Sequence, residues 1–194
     1  MFNVAGPAGS AIKNNPMGRG LDKYHDLVYR ISLRILCDKL DAEEVSEYIL
    51  ESLMMRDYQN TLSQDVEDMI LKRTCAFCKM RLVSRKIKYL LGEPMHVFVK
   101  AIPEADNLDD YMVKRAWQLF CRASFKMSPL QSVVYSLVEL DDISMERVAI
   151  ILGINKLRVK IALSRASKMV HNELSFYDCG DKYSAFVNFI RSFR

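Results

Sequence analysis

The sequence predicts an all-α protein, and three observations carry that expectation. Half of its 194 residues are hydrophobic, enough for a packed core. Only seven Gly and five Pro interrupt it, and several of these cluster before residue 21. Apolar residues recur at three- and four-residue steps over long stretches, which is helical spacing. Two small helical domains joined by a linker are expected, the C-terminal one a helix-turn-helix.

Residues 1–20, with Gly6, Pro7, Gly9, Asn14, Asn15, Pro16, Gly18 and Gly20, read as a flexible lead. A first helix begins near Leu21, with Tyr24, Leu27, Val28, Ile31, Ile35 and Leu36 as its apolar side. A second opens at Asp41, where Asp41 and Glu44 have the spacing of a capping box. Its apolar residues are Val45, Tyr48, Ile49, Leu53 and Met54. A third, long helix runs from about Gln64 to Leu91. Val66, Met69, Ile70, Cys75, Phe77, Cys78, Leu82 and Ile87 are expected on its apolar side, which completes a first domain over 21–91. Gly92, Pro94, Pro103 and the polar run from Glu104 to Asp110 mark a linker at 92–108.

Helical spacing resumes at Tyr111, with Val113, Ala116, Trp117 and Phe120, and a second domain spans 109–175. Ser128-Pro129 is a helix start, a capping side chain followed by Pro at the first helical position. Asp141-Asp142 ends that helix, and Ser144 caps a short one from Met145 to Leu152. Gly153 supplies a sharp turn, and Asn155 caps a last helix from about Lys156 to Glu173. Two helices joined by a Gly-containing turn form the helix-turn-helix pattern. Val159, Leu163, Ala166 and Val170 face inward. Asn155, Lys156, Arg158, Lys160, Arg165 and Lys168 are left to meet DNA, Lys156 and Arg158 first among them for base or nearby phosphate contact. The alternative for such a basic face is plain solvation.

Charge is unevenly distributed, although the net charge is only +4. From Met69 to Gly92 there is no acidic residue, while Lys72, Arg73, Lys79, Arg81, Arg85, Lys86 and Lys88 are all basic. The stretch before it carries Asp41, Glu43, Glu44, Glu47 and Glu51. Blocks of opposite sign suggest one face for an anion and another for a basic partner. Phe77 and Tyr89 lie within the basic helix, available either for stacking on bases or for core packing.

Residues Ile143-Ser144-Met145-Glu146-Arg147-Val148-Ala149 through Leu152-Gly153-Ile154, then Val159-Lys160 and Leu163-Ser164-Arg165-Ala166, resemble the promoter-binding C-terminal domain of bacterial sigma factors of the sigma-70 family. Asp41-Ala42-Glu43-Glu44-Val45 looks like the acidic helix leading to that family's polymerase-binding surface, and the basic helix from Val66 to Leu91 lies where its −10 recognition helix lies. The two-domain layout is similar to the extracytoplasmic-function group. The resemblance implies a sigma factor that binds core RNA polymerase and promoter DNA, with an anti-sigma factor as a further partner. It places polymerase contact on Asp41, Glu43, Glu44, Glu47 and Glu51, −10 contact on the Lys72–Lys88 helix and −35 contact on the last helix. Two rivals remain: a helix-turn-helix regulator acting without polymerase, and a degenerate sigma-like protein that captures polymerase or an anti-sigma factor.

Other chemistry has little support. No catalytic constellation is visible, so an enzyme is not expected, and no cofactor is implied. Cys75-Ala76-Phe77-Cys78 is a C-x-x-C without a second pair, and His25, His96 and His171 are scattered, so no metal site is expected. Five Cys without a framework spacing read as reduced thiols. With no membrane-length apolar run and no secretion signal, a cytoplasmic protein without membrane insertion is expected. Residues 176–194, rich in aromatics such as Phe176, Tyr177, Tyr183, Phe186, Phe189 and Phe193, form an extension that either closes the core or docks a partner.

Overall fold

The computed structural model describes residues 18–54, 63–93, 110–175, 187–188 and 190–191; the lead over 1–17, most of the expected linker and most of the C-terminal extension lie outside them. Among the described residues the protein is all-α, as expected. Its helices are α1 (Gly18–Leu36), α2 (Lys39–Met54), α3 (Ser63–Leu90), α4 (Asp110–Lys126), α5 (Pro129–Tyr135), α6 (Met145–Leu152) and α7 (Lys156–Ser175). α5 runs directly into a π-helical turn, Ser136–Leu140. None of these helices is long and apolar enough to cross a membrane.

Local chemistry sets several of the ends. α1 begins at Gly18, ahead of the expected Leu21, and stops at Cys37, whose φ of 52° breaks the helix while its N–H still donates to Leu33 O at 2.7 Å. The cap of α2 is Asp38 rather than Asp41: the Asp38 carboxylate accepts from the Asp41 N–H at 3.1 Å, so Asp41 lies inside the first turn. Ser128 and Gln131 make a reciprocal capping box at α5, with Pro129 at the first helical position. Ser144 caps α6 by accepting from the Arg147 N–H, and Asn155 caps α7 by accepting from the Arg158 N–H at 2.8 Å.

The core does not stop at the expected linker. One cluster joins Val28, Ile31 and Ile35 of α1, Val45 and Ile49 of α2 and Ile70, Leu71, Cys75 and Cys78 of α3 to Val133, Val134 and Leu137, Val148 and Ile151 of α6 and Val159 of α7. A second surrounds Trp117 and Phe120 of α4 with Tyr135, Ala166, Val170 and Cys37. Val187 and Ile190 of the C-terminal extension are buried in this second cluster, so those two residues close the core. Helices from both halves of the chain therefore lose water together.

Polar contacts tie the halves at three further places, two of them ion pairs. Arg34 of α1 is buried, 3 % exposed, and donates to Asp141 Oδ1 at 2.7 Å and to Leu140 O at 3.1 Å. Its other arm donates to Arg191 O at 2.7 Å. Arg30, one turn earlier, reaches the same Asp141 oxygen at 3.0 Å. Arg191 donates in turn to Glu139 O at 2.6 Å and pairs with Asp142 at 2.7 Å. The π-helical turn makes this possible: the Asp141 N–H bonds back to Ser136 O, five residues earlier, which widens the backbone and places Leu140 O and Asp141 beneath α1. Elsewhere Arg147 of α6 pairs with Glu67 at 2.8 Å and Asp68 at 2.7 Å on α3, and Lys86 of α3 donates to Met127 O at the α4–α5 junction.

Removing Asp141 strands a buried guanidinium. Asp141→Ala is expected to lower unfolding free energy by about 3–5 kcal/mol. Arg30→Ala, at a partly exposed position, is expected to cost about 1 kcal/mol or less. Urea unfolding followed by circular dichroism measures both, and equal losses would mean that Arg34 is not the member that matters.

Candidate nucleic-acid interface

α6, the Gly153 turn and α7 build the surface. Gly153 sits at φ 63°, the left-handed region that reverses the chain after α6, and its N–H closes the helix on Ala149 O and Ile150 O. Val148, Ile151, Val159, Ala162, Ala166 and Val170 turn inward, so the opposite side of α7 faces solvent. There Lys156, Arg158, Lys160, Arg165 and Lys168 are all exposed. Lys156 pairs with Glu146 across the turn, and that pairing holds the Glu146 carboxyl below its ordinary range. Arg158, Lys160, Arg165 and Lys168 make no ion pair among the described residues, so four of the expected cations remain available on one helix. Leu157 and Ile161, one turn apart, are also exposed, as is Ile150 on α6. The signal for these three in the sequence is their place outside the inward pattern of Val159, Leu163 and Ala166.

The basic helix α3 is a different case. Arg81 bonds Glu44 at 2.6 Å, and Arg85 pairs with Asp41 and with Asp38 at 3.3 Å and donates to Leu36 O. Arg73 donates to Ser52 Oγ at 3.3 Å, and Lys86 is held against Met127 O, where burial lowers its ammonium from the ordinary lysine range. Arg81 and Arg85 of α3 thus pair with Asp41 and Glu44 of α2. Lys72, Lys79 and Lys88 have no ion pair among the described residues. On α2, Glu44, Glu47 and Glu51 are exposed beside Leu40 and Tyr48, whereas Asp41 is taken up by Arg85 and Arg81.

The aromatics of α3 are occupied. Phe77 packs on Tyr48 with ring centroids 4.4 Å apart, and Tyr89 meets Phe125 edge-on at 5.0 Å. Cys75 and Cys78 are fully buried in the core. Burial pushes the Cys75 thiol far up and the Cys78 thiol up to about 12, so both are packing residues without thiolate character. The arrangement on α7 can hold phosphates along one helix face and present an aliphatic pair to base edges, since Leu157 and Ile161 suit contact with a thymine methyl.

No protein-family model matches the chain, and no curated protein matches it.

A Cβ at residue 153 would meet nothing within 4 Å, so Gly153→Ala tests backbone conformation alone. It is expected to cost about 1–2 kcal/mol from left-handed strain. Thermal unfolding measures it, and an unchanged midpoint would mean that the turn relaxes to another conformation.

Proposed function

We propose that the protein is a sigma factor, with α7 as its principal DNA-binding helix and α2 as its contact with core RNA polymerase. The single observation that carries the DNA half is the solvent-facing side of α7. Arg158, Lys160, Arg165 and Lys168 stand there unpaired among the described residues, on a helix fixed to the core by its other side and introduced by the Gly153 turn. A recognition helix needs this combination, a rigid mount with free basic groups at its start. The polymerase half is supported by the sequence resemblance and by the exposed acidic and apolar face of α2, with Glu44, Glu47, Glu51, Leu40 and Tyr48. The proposed role is binding and positioning, without chemistry of its own.

One observation favours a second reading. The halves are joined by a buried ion pair and a shared core, and among the described residues α7 alone offers a large free basic face. A regulator that binds DNA through α7 without polymerase fits that arrangement as well.

Affinity capture with core polymerase separates the two readings. The sigma reading expects a stable one-to-one complex that weakens on Glu47→Lys and Glu51→Lys together. Failure to retain polymerase removes it, and binding to a palindromic site without polymerase then supports the regulator.

Substitutions on α7 divide the DNA contacts. Arg158→Ala is expected to lose about 1–3 kcal/mol on the preferred sequence and much less on others if it meets a base. Arg165→Ala and Lys168→Ala are expected to weaken all sequences alike and to lower the dependence of log K on log salt by about one unit each. Salt titrations of DNA affinity read both effects, and no loss in any of the three variants would take α7 out of the interface.

A further inference from the structure

The long helix α3 is apolar on two sides. Leu71, Cys75, Cys78 and Leu82 make the stripe that enters the core. A second stripe, Met80, Val83, Ile87 and Leu90, runs down a different side at steps of three, four and three residues. These four are 59 %, 47 %, 52 % and 82 % exposed, and Leu91 beside them is 80 % exposed. Ile87, expected from its spacing to lie on the buried side, belongs to this outer stripe. An open groove of about 440 Å³ lies along it, lined by Met80, Val83, Ser84 and Ile87, with Lys79 on one rim and Lys88 on the other.

Steps of three and four that repeat every seven residues place side chains along the seam of a helix–helix pair. Taking Met80 and Ile87 as the first seam position and Val83 and Leu90 as the fourth, Lys72 and Lys79 fall at successive flanking positions seven residues apart. Flanking charges of this kind select the partner. Neither lysine, nor Lys88 on the other rim, has an ion pair among the described residues.

We propose that the outer side of α3 is the docking seam for an amphipathic helix of another protein, one whose apolar ridge is flanked by Asp or Glu. Burial of Met80, Val83, Ile87 and Leu90 drives the association, and the three lysines select an acidic partner. A second copy of this chain fits less well, because antiparallel pairing of α3 with itself sets the lysine flanks against each other. Single-stranded nucleic acid fits less well too. The middle of the seam is aliphatic, and the neighbouring rings of Phe77 and Tyr89 are packed on Tyr48 and Phe125 rather than free to stack on bases. This inference is independent of how α7 engages DNA.

The test uses the full chain and a fluorescein-labelled designed peptide of about three heptads, with Leu at both seam positions and Glu at both flanking positions. The glutamates keep the free peptide from pairing with itself. Fluorescence anisotropy is expected to show saturable binding that weakens in high salt. Val83→Glu with Ile87→Glu is expected to weaken it by about tenfold or more, and Lys72→Glu with Lys79→Glu several-fold. Lys72, Val83 and Ile87 are exposed and Lys79 is half-buried, so circular dichroism should show unchanged helix content in the variants. No binding, or binding indifferent to Val83→Glu with Ile87→Glu, overturns the proposal. A dimer in sedimentation that these two substitutions dissociate assigns the seam to a second copy and overturns it. An oligo-dT affinity that falls with the same substitutions assigns it to nucleic acid and overturns it as well.

Discussion

The ion pair between Arg34 and Asp141 is the constraint on which the arrangement depends. It joins α1 to the turn after α5 across more than half the chain, with both side chains 3 % exposed. Burial, aided by the neighbouring Arg30 and Arg191 charges, lowers the Arg34 guanidinium from its ordinary value, and Asp141 opposes that shift. Such a pair gains little over a well-packed apolar contact, yet breaking one side of it is costly. Its consequence is therefore geometric. Whatever moves α5, α6 and α7 relative to α1 must first expose or re-pair two charges. Arg191 adds the C-terminal extension to the same point through Glu139 O and Asp142, so three separate stretches of chain share one electrostatic anchor.

What the sequence made legible was local. Ser128 with Pro129, Ser144, Gly153 and Asn155 are each recognised from their immediate neighbours, and all are found in the expected roles, while the reciprocal bond between Gln131 and Ser128 emerges only in the structure. Asp38 took the capping place assigned to Asp41 because two acidic residues stood near one helix start, and spacing alone does not choose between them. The π-helical turn left no sign, since Ser136–Leu140 continues the apolar spacing of α5 without a break. The partners of Arg34, Arg85 and Arg147 lie about forty or more residues away and become visible only when the helices pack.

The candidate interface was legible in proportion to how little it depends on packing. On α7 the inward residues follow one clean helical pattern, so the outward cations followed directly. On α3 a run of basic residues without acids looked like one continuous surface. Two of its seven cations, Arg81 and Arg85, are instead paired with Asp41 and Glu44 of α2, whose acids look in the sequence like a separate surface. Two adjacent blocks of opposite charge on consecutive helices are as readily each other's partner as they are sites for other molecules. The same crowding hid the outer apolar stripe of α3. One helix with two apolar sides gives a weak periodic signal, and Ile87 fits the spacing of the inner side while standing on the outer one.

The function proposed here requires that one chain meet polymerase and promoter DNA together. Run-off transcription with purified core polymerase, this chain and a library of promoter fragments tests that most directly. The account predicts transcripts from a defined start on a subset of fragments, absent without the chain and lost when Arg158, Arg165 and Lys168 are changed to Ala together. Binding of the chain to DNA with no transcript from any fragment would contradict it.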